Sequence, residues 1–513
     1  MLESAAADLP NDVDSLRALL AESRLENHRL RSTLVYRDAQ IEKLLLQLAR
    51  LKRMQFGAKS EKLDREIEQL ELLIEELQTP STAPSRAPAD AATEKAVPAR
   101  RPLPAHLPRE SVVHAPAAAC PRCGGTLRAI GEDISEMLDY VPAHWKVIRH
   151  VRPKCACDAC QRIVQAEAPS RPIPRGIAAP GLLAHVLVSK YCDSLPLHRQ
   201  SEIYARDGVE IERSTLADWV GGSAALLAPL VERLGAYVMS ATKLHADDTP
   251  VPVLSPGKGQ TRTGRLWTYV RDDRPAGSSQ PPAVFFQYTP DRKGEHPRVH
   301  LKAFTGTLQA DGYAGFHHLY ETGRIREAAC WAHVRRKFFD IHQANQSPIA
   351  KAALDRIAAL YVIEKDIRGK SPDARRQHRQ SRAGPLLVEL KDWLAAKLTT
   401  LSAKSDLAVA IRYATSRWPA LVRYCDDGSL EIDNNAAERA LRVVALGRKN
   451  YLFCGSDTGG ERAAAIYSLI GTAKLNGLNP EAYLRDVIGR IADHPANRLD
   501  DLLPWNHAAI IGS

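Results

Sequence analysis

The chain has 513 residues, 25% of them charged, and its 70 Lys+Arg against 60 Asp+Glu give a formal net charge of +10. This length predicts about three or four domains, and the basic surplus favours a polyanionic partner, with nucleic acid as the first candidate. No apolar run approaches the roughly 18 residues of a membrane-spanning helix and the first residues lack the cationic start of a signal peptide, which excludes a membrane protein and predicts a soluble, cytoplasmic one.

Residues 12–78 are predicted to form coiled-coil, leucine-zipper-like helices. Aliphatic residues recur at three- and four-residue steps from Leu16 to Leu51, interrupted by polar residues of the kind that fix register and partner number. The segment is therefore expected to associate the chain into a homo-oligomer, although one long helix packed within its own chain would carry a similar pattern. Residues 79–116 are rich in Pro and Ala and are predicted to be a flexible linker.

Residues 117–170 carry a predicted zinc-binding module. Cys120 with Cys123 and Cys157 with Cys160 form two Cys-x-x-Cys pairs, and four thiolates match the tetrahedral coordination of Zn²⁺. Cys155 is left out of the set because only the last pair has the two-residue spacing. A disulfide is disfavoured in a reducing cytoplasm. Such a zinc ribbon could grip DNA or brace the neighbouring domains.

Residues 175–240 have a helical pattern that suggests a helix-turn-helix-like, DNA-binding region. Leu197–Trp219 is predicted to form two short helices joined by a glycine turn, with Ser214 as the N-cap of the second. The second would then resemble a recognition helix, although a plain helical hairpin fits the pattern nearly as well. The candidate DNA contacts in this region are Arg199, Arg213 and Thr215.

Residues 241–344 are predicted to be the first part of a catalytic core. Lys243–Leu254 alternates apolar and polar residues like a half-buried strand, yet it places two acids at its centre, where a sheet gains nothing from them. Asp247 shares the polar face with His245, whereas Asp248, on the apolar face, would need a buried partner. Asp247 is therefore the better metal ligand of the two.

Two later segments offer further acids. Thr307–Tyr313 is predicted as a short strand that ends at Asp311 before a glycine turn, and Ile432–Arg442 as a helix start with Glu438 in its first turn. Three carboxylates from separate elements can hold two Mg²⁺ or Mn²⁺ ions about 3.5–4 Å apart, which activate a water or hydroxyl in phosphodiester cleavage. Asn435 and Glu438 also fit a capping box, which is the structural alternative for this acid.

The elements around these acids are expected to be three consecutive strands, a helix and a fourth strand. They are, in chain order, Lys243–Leu254, Gly264–Arg271, Ala283–Tyr288, Pro297–Phe304 and the strand that ends at Asp311. The domains that follow are a helical insertion over residues 345–425, the rest of the core with Glu438 over 426–490, and a C-terminal tail over 491–513. The insertion could cover the DNA or interlock with a second subunit.

Basic residues near the acids are candidates for phosphate contacts. His333, Arg336 and Lys337 lie on one surface of a predicted helix and could clamp phosphates, with a simple solvated face as an equally good interpretation. A second basic group, on and after the helix of Glu438, could neutralise phosphates held against the metal ions. Its members are Arg439, Arg442, Arg448 and Lys449.

The sequence around the three acids resembles a known family. His245–Val251, Gln309–Phe316 and Asp433–Arg442 closely resemble the three catalytic blocks of the DDE transposase of insertion-sequence family sixty-six. The likeness also covers Phe56–Lys62, the cysteine module and Gly447–Asn450, so it runs from about residue 15 to the end of the chain. It departs at position 248, where the family leads us to expect Glu.

The resemblance implies a multidomain α+β protein with a ribonuclease H-like core, in which the first and fourth strands lie side by side and bring Asp247 to Asp311. It implies that Asp247, Asp311 and Glu438 hold the catalytic Mg²⁺ or Mn²⁺, with Asp433 as the runner-up for the third position. It also implies that the cysteine module binds Zn²⁺ and that accessory proteins of the same element take part.

The expected function is that of a transposase, which cleaves and joins DNA at the ends of a bacterial insertion sequence. By analogy with the family, metal-activated water would free a 3′-hydroxyl at the element end, and that hydroxyl would attack target DNA. Two rivals are a DNA-binding regulator with an inactive catalytic body and a structure-specific, metal-dependent nuclease. A regulator would bind without cutting, and a nuclease would hydrolyse without joining.

Overall fold

The computed structural model describes residues 145–148, 170–174, 176–255, 257, 259–451 and 453–507, and the backbone alone of 154–156, 163–165 and 508–511. The chain divides into two compact units, Met1–Val147 and Ile148–Ser513, and the architecture given below is that of the second. The predicted coiled coil and linker lie outside the described residues, as do the predicted zinc ligands Cys120, Cys123, Cys157 and Cys160.

A short antiparallel hairpin precedes the main body. Its strands are β1 (Lys154–Ala156) and β2 (Ile163–Gln165). The second predicted cysteine pair therefore falls, in sequence, in the connection between two paired strands.

A five-stranded mixed sheet forms the centre of the body. Its spatial order is β5-β4-β3-β6-β7; β4 pairs antiparallel with both β3 and β5, whereas β6 and β7 run parallel to β3. The strands are β3 (Lys243–Ser255), β4 (Gln260–Arg271), β5 (Ala283–Thr289), β6 (Gly306–Ala310) and β7 (Ile325–Ala328). The first and fourth strands of the predicted core, β3 and β6, are hydrogen-bonded neighbours, so that prediction is confirmed.

The central strand β3 is buried on both faces where it begins. Residues 243–246 are all buried, polar and apolar alike, so the prediction of a half-buried strand is wrong for this part, whereas from Thr249 to Leu254 buried and half-buried residues alternate as predicted. Polar groups inside a protein need partners, and the Lys243 ammonium has them. It forms an ion pair with Asp273 at 3.0 Å and donates hydrogen bonds to the carbonyls of Asp272 and Ser429 at 3.1 and 3.0 Å.

Three helices precede the sheet. They are α1 (Pro180–Tyr191), α2 (Leu197–Arg206) and α3 (Arg213–Met239). The chain turns between α2 and α3 at Gly208, whose φ of 79° favours glycine. Two predictions are wrong here: α3 is a single helix of 27 residues rather than a short one, and its N-cap is Glu212, without a side-chain cap, rather than Ser214.

Helix α3 is also long and apolar enough to cross a membrane by length and composition, and no other helix in the described part of the chain is. A buried helix in the core of a soluble protein can have the same length and apolar composition. The side chains of Leu216, Leu227, Leu230 and Leu234 are fully buried against the rest of the fold. The helix is therefore weak evidence for a membrane span.

Short and long helices fill the remaining chain. Between the strands lie α4 (Glu295–His300) and α5 (His317–Tyr320). After β7 come α6 (Trp331–Asn345), α7 (Pro348–Ile367), α8 (Pro372–His378), α9 (Gly384–Thr399), α10 (Asp406–Ser416) and α11 (Trp418–Val422), with a π-helical turn at Arg379–Ala383. The last are α12 (Asn435–Gly447), α13 (Asp457–Leu475), α14 (Pro480–Arg490) and α15 (Pro504–Ile511).

Helices α6, α7, α9, α10 and α11 share one apolar core. Ile357, Leu360 and Ile363 of α7 are almost completely buried in it, and Leu354 and Tyr361 pack against it from its margin. The core face predicted from Leu354, Ile357 and Tyr361 is therefore present, but it is centred on Ile357 and Leu360.

Helix α13 covers the outer edge of the sheet at β5. The Ser468 hydroxyl accepts the Phe286 N–H at 2.8 Å, and the Thr472 hydroxyl accepts the Val284 N–H and donates to the Val284 carbonyl, both at 3.1 Å. An exposed strand edge invites pairing with another chain. Two helix hydroxyls here satisfy backbone groups that would otherwise be open to such pairing.

Candidate functional site

The two adjacent acids of β3 have different surroundings. Asp248 is 3% exposed, and its carboxylate meets the Arg265 guanidinium at 3.2 Å and the Arg292 guanidinium at 2.8 Å. This is the buried partnership that an acid on the apolar face requires. Asp247 is half-buried on the opposite face of the strand. Asp248 thus has a structural role between two arginines, whereas the Asp247 carboxylate accepts the Asp248 N–H at 2.7 Å.

Asp311 directly follows β6, which runs parallel to β3. The register pairs Ala246 with Ala310, so Asp247 and Asp311 are each the next residue after the last paired position of neighbouring strands. Adjacent strands lie about 4.8 Å apart. The Asp311 carboxylate also accepts the Tyr313 N–H at 3.1 Å, which fixes the turn after the strand. This register agrees with the prediction that Asp247 and Asp311 lie close together at one edge of the sheet.

Arg292 is a site residue that the sequence analysis missed. Its guanidinium contacts Asp248, lies 3.9 Å from the Asp311 carboxylate and stacks 4.1 Å from the centre of the Tyr313 ring. Burial alone would lower the pKa of Arg292, but the Asp248 carboxylate outweighs it and raises the pKa. Arg292 follows β5 in a loop with ordinary polar composition, so no local pattern marks it.

Helix α12, which carries Glu438, is attached to β3 by Asn434. The Asn434 side-chain amide donates to the Ala246 carbonyl at 2.9 Å, and its oxygen lies 3.1 Å from His245 Nδ1. Burial, then Lys243, lowers the pKa of His245 to about 3, so the imidazole is neutral and donates through Nδ1–H. The helix of Glu438 is thus bonded to the residue next to Asp247.

The start of α12 differs from the predicted capping box. The N-cap residue is Asn434, whose side chain is engaged with β3 and does not cap the helix. The Asp433 carboxylate instead accepts the Asn435 backbone N–H at 3.2 Å and the Asn435 side-chain N–H at 2.9 Å. The structural alternative for Glu438, a capping box with Asn435, is therefore wrong.

The Glu438 carboxylate lies in a buried cluster with two residues of the neighbouring helix. Glu438 is 9% exposed, and its Oε1 is 3.7 Å from His333 Nδ1. The ligand atoms of Glu438, His333 and Cys330 all lie within 4.8 Å of one another, a cluster that does not include Asp247 or Asp311. Burial, then Arg336 and Lys337, lowers the pKa of His333 to about 3, which keeps the imidazole neutral.

The predicted DNA contacts are spread over several elements. On the helix of Glu438 and just after it, Arg439 and Lys449 are exposed and Arg442 is half-buried. Arg448 donates a hydrogen bond to the Pro250 carbonyl and so supports β3. On α6, Arg336 and Lys337 are half-buried, and the Lys337 ammonium lies 4.5 Å from the centre of the Tyr413 ring. Near α2 and α3, Arg199 and Arg213 are exposed and Thr215 is half-buried.

Replacement of Asn434 tests the attachment of α12. Asn434→Ala leaves two buried groups, the Ala246 carbonyl and His245 Nδ1–H, without the partner they have here, and we expect a loss of about 1–3 kcal/mol in the free energy of unfolding. The exposed Asn450 of the same region is the control, and Asn450→Ala is expected to cost less than about 0.5 kcal/mol. Urea unfolding followed by tryptophan fluorescence measures both; equal losses would contradict the attachment.

Four models of protein families match the sequence of the chain. The model described as Transposase IS66 family matches residues 175–462, which is more than half of the chain. The chain belongs to the IS66 transposase family. Three further models of the same family match at residues 468–505 (IS66 C-terminal element), 118–161 (zinc-finger binding domain of transposase IS66) and 43–112 (Transposase C of IS166 homeodomain, of leucine-zipper type).

Relatives of comparable length occur in Sinorhizobium fredii (strain NBRC 101917 / NGR234). The uncharacterized protein y4hP is 40% identical over 487 residues, which cover 90% of this chain and 88% of the relative. The uncharacterized protein y4qI is 38% identical over 529 residues, which cover 98% of each chain. The family and the zinc-finger match support a transposase role and a bound Zn²⁺, and they confirm the family resemblance found in the sequence.

Proposed function

We propose that the chain is a DDE-type DNA transposase that cleaves and joins DNA at insertion-sequence ends with two divalent ions held by Asp247, Asp311 and Glu438. The observation that carries the proposal is the parallel register of β3 with β6, in which the two aspartates follow the paired residues Ala246 and Ala310. The proposal is also supported by the hydrogen bond from Asn434 to the Ala246 carbonyl, which attaches the helix of Glu438 to β3 beside Asp247.

The proposal includes a ribonuclease H-like core. Support comes from three sequential antiparallel strands followed by two strands parallel to the first, in the spatial order third, second, first, fourth, fifth. Residues 241–344 and 426–490 would be the two parts of this core, and residues 345–425 the insertion between them.

The side chains fit hard divalent ions. Asp247 and Asp311 offer carboxylate oxygens at one edge of the sheet, which is the donor type that Mg²⁺ and Mn²⁺ prefer. When bound, such ions supply an activated water or hydroxyl and stabilise the leaving oxygen of a phosphodiester. The chain itself contributes the acids that hold them and, 3.9 Å from Asp311, the Arg292 guanidinium, a cation suited to a scissile phosphate.

DNA binding would follow from the exposed cations and the zinc-finger region. Arg439 and Lys449 lie on the helix of Glu438 and just after it, and Arg213 lies at the start of α3; all three are exposed. Such cations bind phosphates without reading sequence. We further propose that the N-terminal segment assembles a homo-oligomer, that the protein acts in the cytoplasm, and that accessory proteins of the same element take part.

A strand-transfer assay on element-end DNA tests the proposal. Wild-type protein with Mg²⁺ or Mn²⁺ is expected to release 3′-hydroxyl ends and join them to target DNA, and EDTA is expected to abolish both steps. End DNA with a scrambled sequence is the control. Hydrolysed ends without joined products would favour a nuclease, and binding without cutting would favour an inactive regulator; either result contradicts the proposal.

A further inference from the structure

We propose that Arg417 and Lys337 form a binding site for a DNA phosphodiester beside Asp311, through which the helical region after β7 holds the DNA strand at the proposed catalytic site. Both cations stack on one aromatic ring. The Lys337 ammonium lies 4.5 Å and the Arg417 guanidinium 4.3 Å from the centre of the Tyr413 ring. The face of an aromatic ring attracts a cation. The ring therefore holds the two positive charges as near neighbours.

The two cations have no negative partner of their own. Neither Lys337 nor Arg417 pairs with a carboxylate among the residues that the structure describes. Arg356 stacks in the same way on Trp393, at 4.6 Å, but it also pairs with Glu389 at 3.7 Å. Like charges held close together repel each other. A phosphodiester would relieve this repulsion, because its anionic oxygens accept strong hydrogen bonds from both guanidinium and ammonium groups.

Arg417 contacts the turn that follows Asp311. Its guanidinium donates a hydrogen bond to the Gly312 carbonyl at 3.3 Å. A Cβ atom at Gly312 would lie 2.6 Å from Arg417 Nε, which is too close for two non-bonded atoms, so glycine allows the guanidinium to lie against this turn. The inference rests on the proposed function, because it takes the bound phosphate to belong to the DNA strand at Asp311.

The backbone of Arg417 is fixed between two helices and the sheet. Arg417 is the C-cap residue of α10, and its carbonyl accepts the Leu421 N–H of α11 at 2.9 Å. Helix α11 is bonded in turn to the residue after β7, because the Ala420 carbonyl accepts the Ala329 N–H at 3.1 Å. Little backbone entropy is therefore lost when Arg417 binds a phosphate, which favours binding.

The experiment measures binding of full-length protein to element-end duplexes in which one phosphate at a time is replaced by a neutral methylphosphonate. Ca²⁺ replaces Mg²⁺ to suppress cutting. At one or two adjacent phosphates, the replacement is expected to weaken wild-type binding about tenfold, the usual effect of losing hydrogen bonds to a charged group. In Arg417→Gln, and separately in Lys337→Gln, the same replacement is expected to weaken binding by less than about threefold, because one partner of that phosphate is already absent.

Arg412→Gln is the matched control. Arg412 lies on the same helix α10, but it is exposed and donates to the Ala403 carbonyl. This variant loses one positive charge and is expected to keep the full sensitivity of wild type. Circular dichroism identifies a variant that does not fold, and the other of the two then decides. Equal sensitivity of wild type and both site variants at every phosphate, or a loss of sensitivity spread evenly along the duplex, would overturn the site.

Strand transfer in Mg²⁺ is scored separately from binding. Wild-type protein that shows the expected phosphate pattern but joins no DNA would contradict the proposed function and leave the phosphate site standing. Wild-type protein that joins DNA without this pattern would overturn the phosphate site alone. The two proposals can therefore fail independently.

Discussion

Asp311→Asn is expected to lower strand transfer by about 10²–10³-fold, because an amide in place of a carboxylate removes negative charge from the proposed metal site, and loss of one preorganised charge-stabilising group costs about that much. DNA binding is expected to stay within about twofold of wild type, since the exposed cations rather than Asp311 are the proposed contacts to the phosphates. Gel-based strand transfer on element-end DNA, with binding measured by fluorescence anisotropy, separates the two effects.

The control for Asp311→Asn is Asp433→Asn, which replaces the runner-up acid. The Asp433 carboxylate accepts two N–H groups of Asn435 at the start of α12. An asparagine side chain can still accept one of these bonds, as it does at helix N-termini. We therefore expect the control to keep most of the activity. Retained strand transfer by Asp311→Asn, or an equal loss in both variants, would remove Asp311 from the catalytic set.

Sequence patterns predicted the strands of the sheet well where the physical rule is local. Alternation along β3 separated Asp247 from Asp248, and the buried arginine partners of Asp248 show why an acid could stand on the apolar face. The side-by-side pairing of β3 and β6 was implied by the family resemblance, whose fold has this order of strands and helix. The burial of Lys243 could not be predicted from the strand pattern. Its ion-pair partner Asp273 and the carbonyls that accept its hydrogen bonds belong to other segments, which come close to Lys243 only in the folded chain.

The residues that the sequence analysis missed depend on contacts between distant segments. Asn434 matched an N-cap signal, but its side chain is used by β3 instead of by its own helix. The Arg292 guanidinium lies 3.9 Å from the Asp311 carboxylate only in the folded chain, because the two residues belong to different loops. Cys330 and His333 are close in sequence, but Glu438 joins their buried cluster from more than 100 residues away. Local sequence patterns do not predict contacts between residues so far apart in the chain.

Two buried arginines connect the helices after β7 to the segment that leads into α12. Arg375 is 1% exposed and donates to the Gly428 carbonyl at 2.8 Å, the Leu430 carbonyl at 3.2 Å and the Glu431 carboxylate at 2.9 Å. Arg379 is fully buried and donates to the same Leu430 carbonyl at 2.9 Å. These bonds fix the chain just ahead of the helix of Glu438.

The same segment is fixed to the sheet beside Asp311. The Gln309 side chain donates to the Glu431 carbonyl at 2.8 Å and accepts the Glu431 N–H at 2.9 Å. Gln309 lies two residues before Asp311. Hydrogen bonds therefore run without a break from Arg375 and Arg379, through the segment before α12, to strand β6, which Asp311 follows. A change at either arginine is expected to affect the proposed site.

Arg379→Met is expected to destabilise the protein by about 3–5 kcal/mol, the usual cost of removing one member of a buried ion pair and leaving the other charge behind. Arg379 makes a two-bond pair with Glu364 at 2.7 and 2.6 Å and also donates to the Tyr424 carbonyl at 2.8 Å. Methionine keeps an unbranched, flexible side chain that reaches about as far as the arginine Nε, but it supplies none of these donors. Glu364 would keep Arg375, 3.6 Å away, as its remaining cation.

Arg382→Met is the matched control, because Arg382 lies three residues further along the same π-helical turn and pairs with Asp366 at 3.0 Å on the surface. Exposed pairs contribute less than about 1 kcal/mol. Urea unfolding followed by tryptophan fluorescence compares the variants, since Trp331 and Trp418 stack edge to face, 5.6 Å apart, in the same helical core. We also expect Arg379→Met to reduce strand transfer under conditions where it stays folded, whereas Arg382→Met should not. Equal destabilisation by the two variants would show that the buried arginine does not hold the segment before α12.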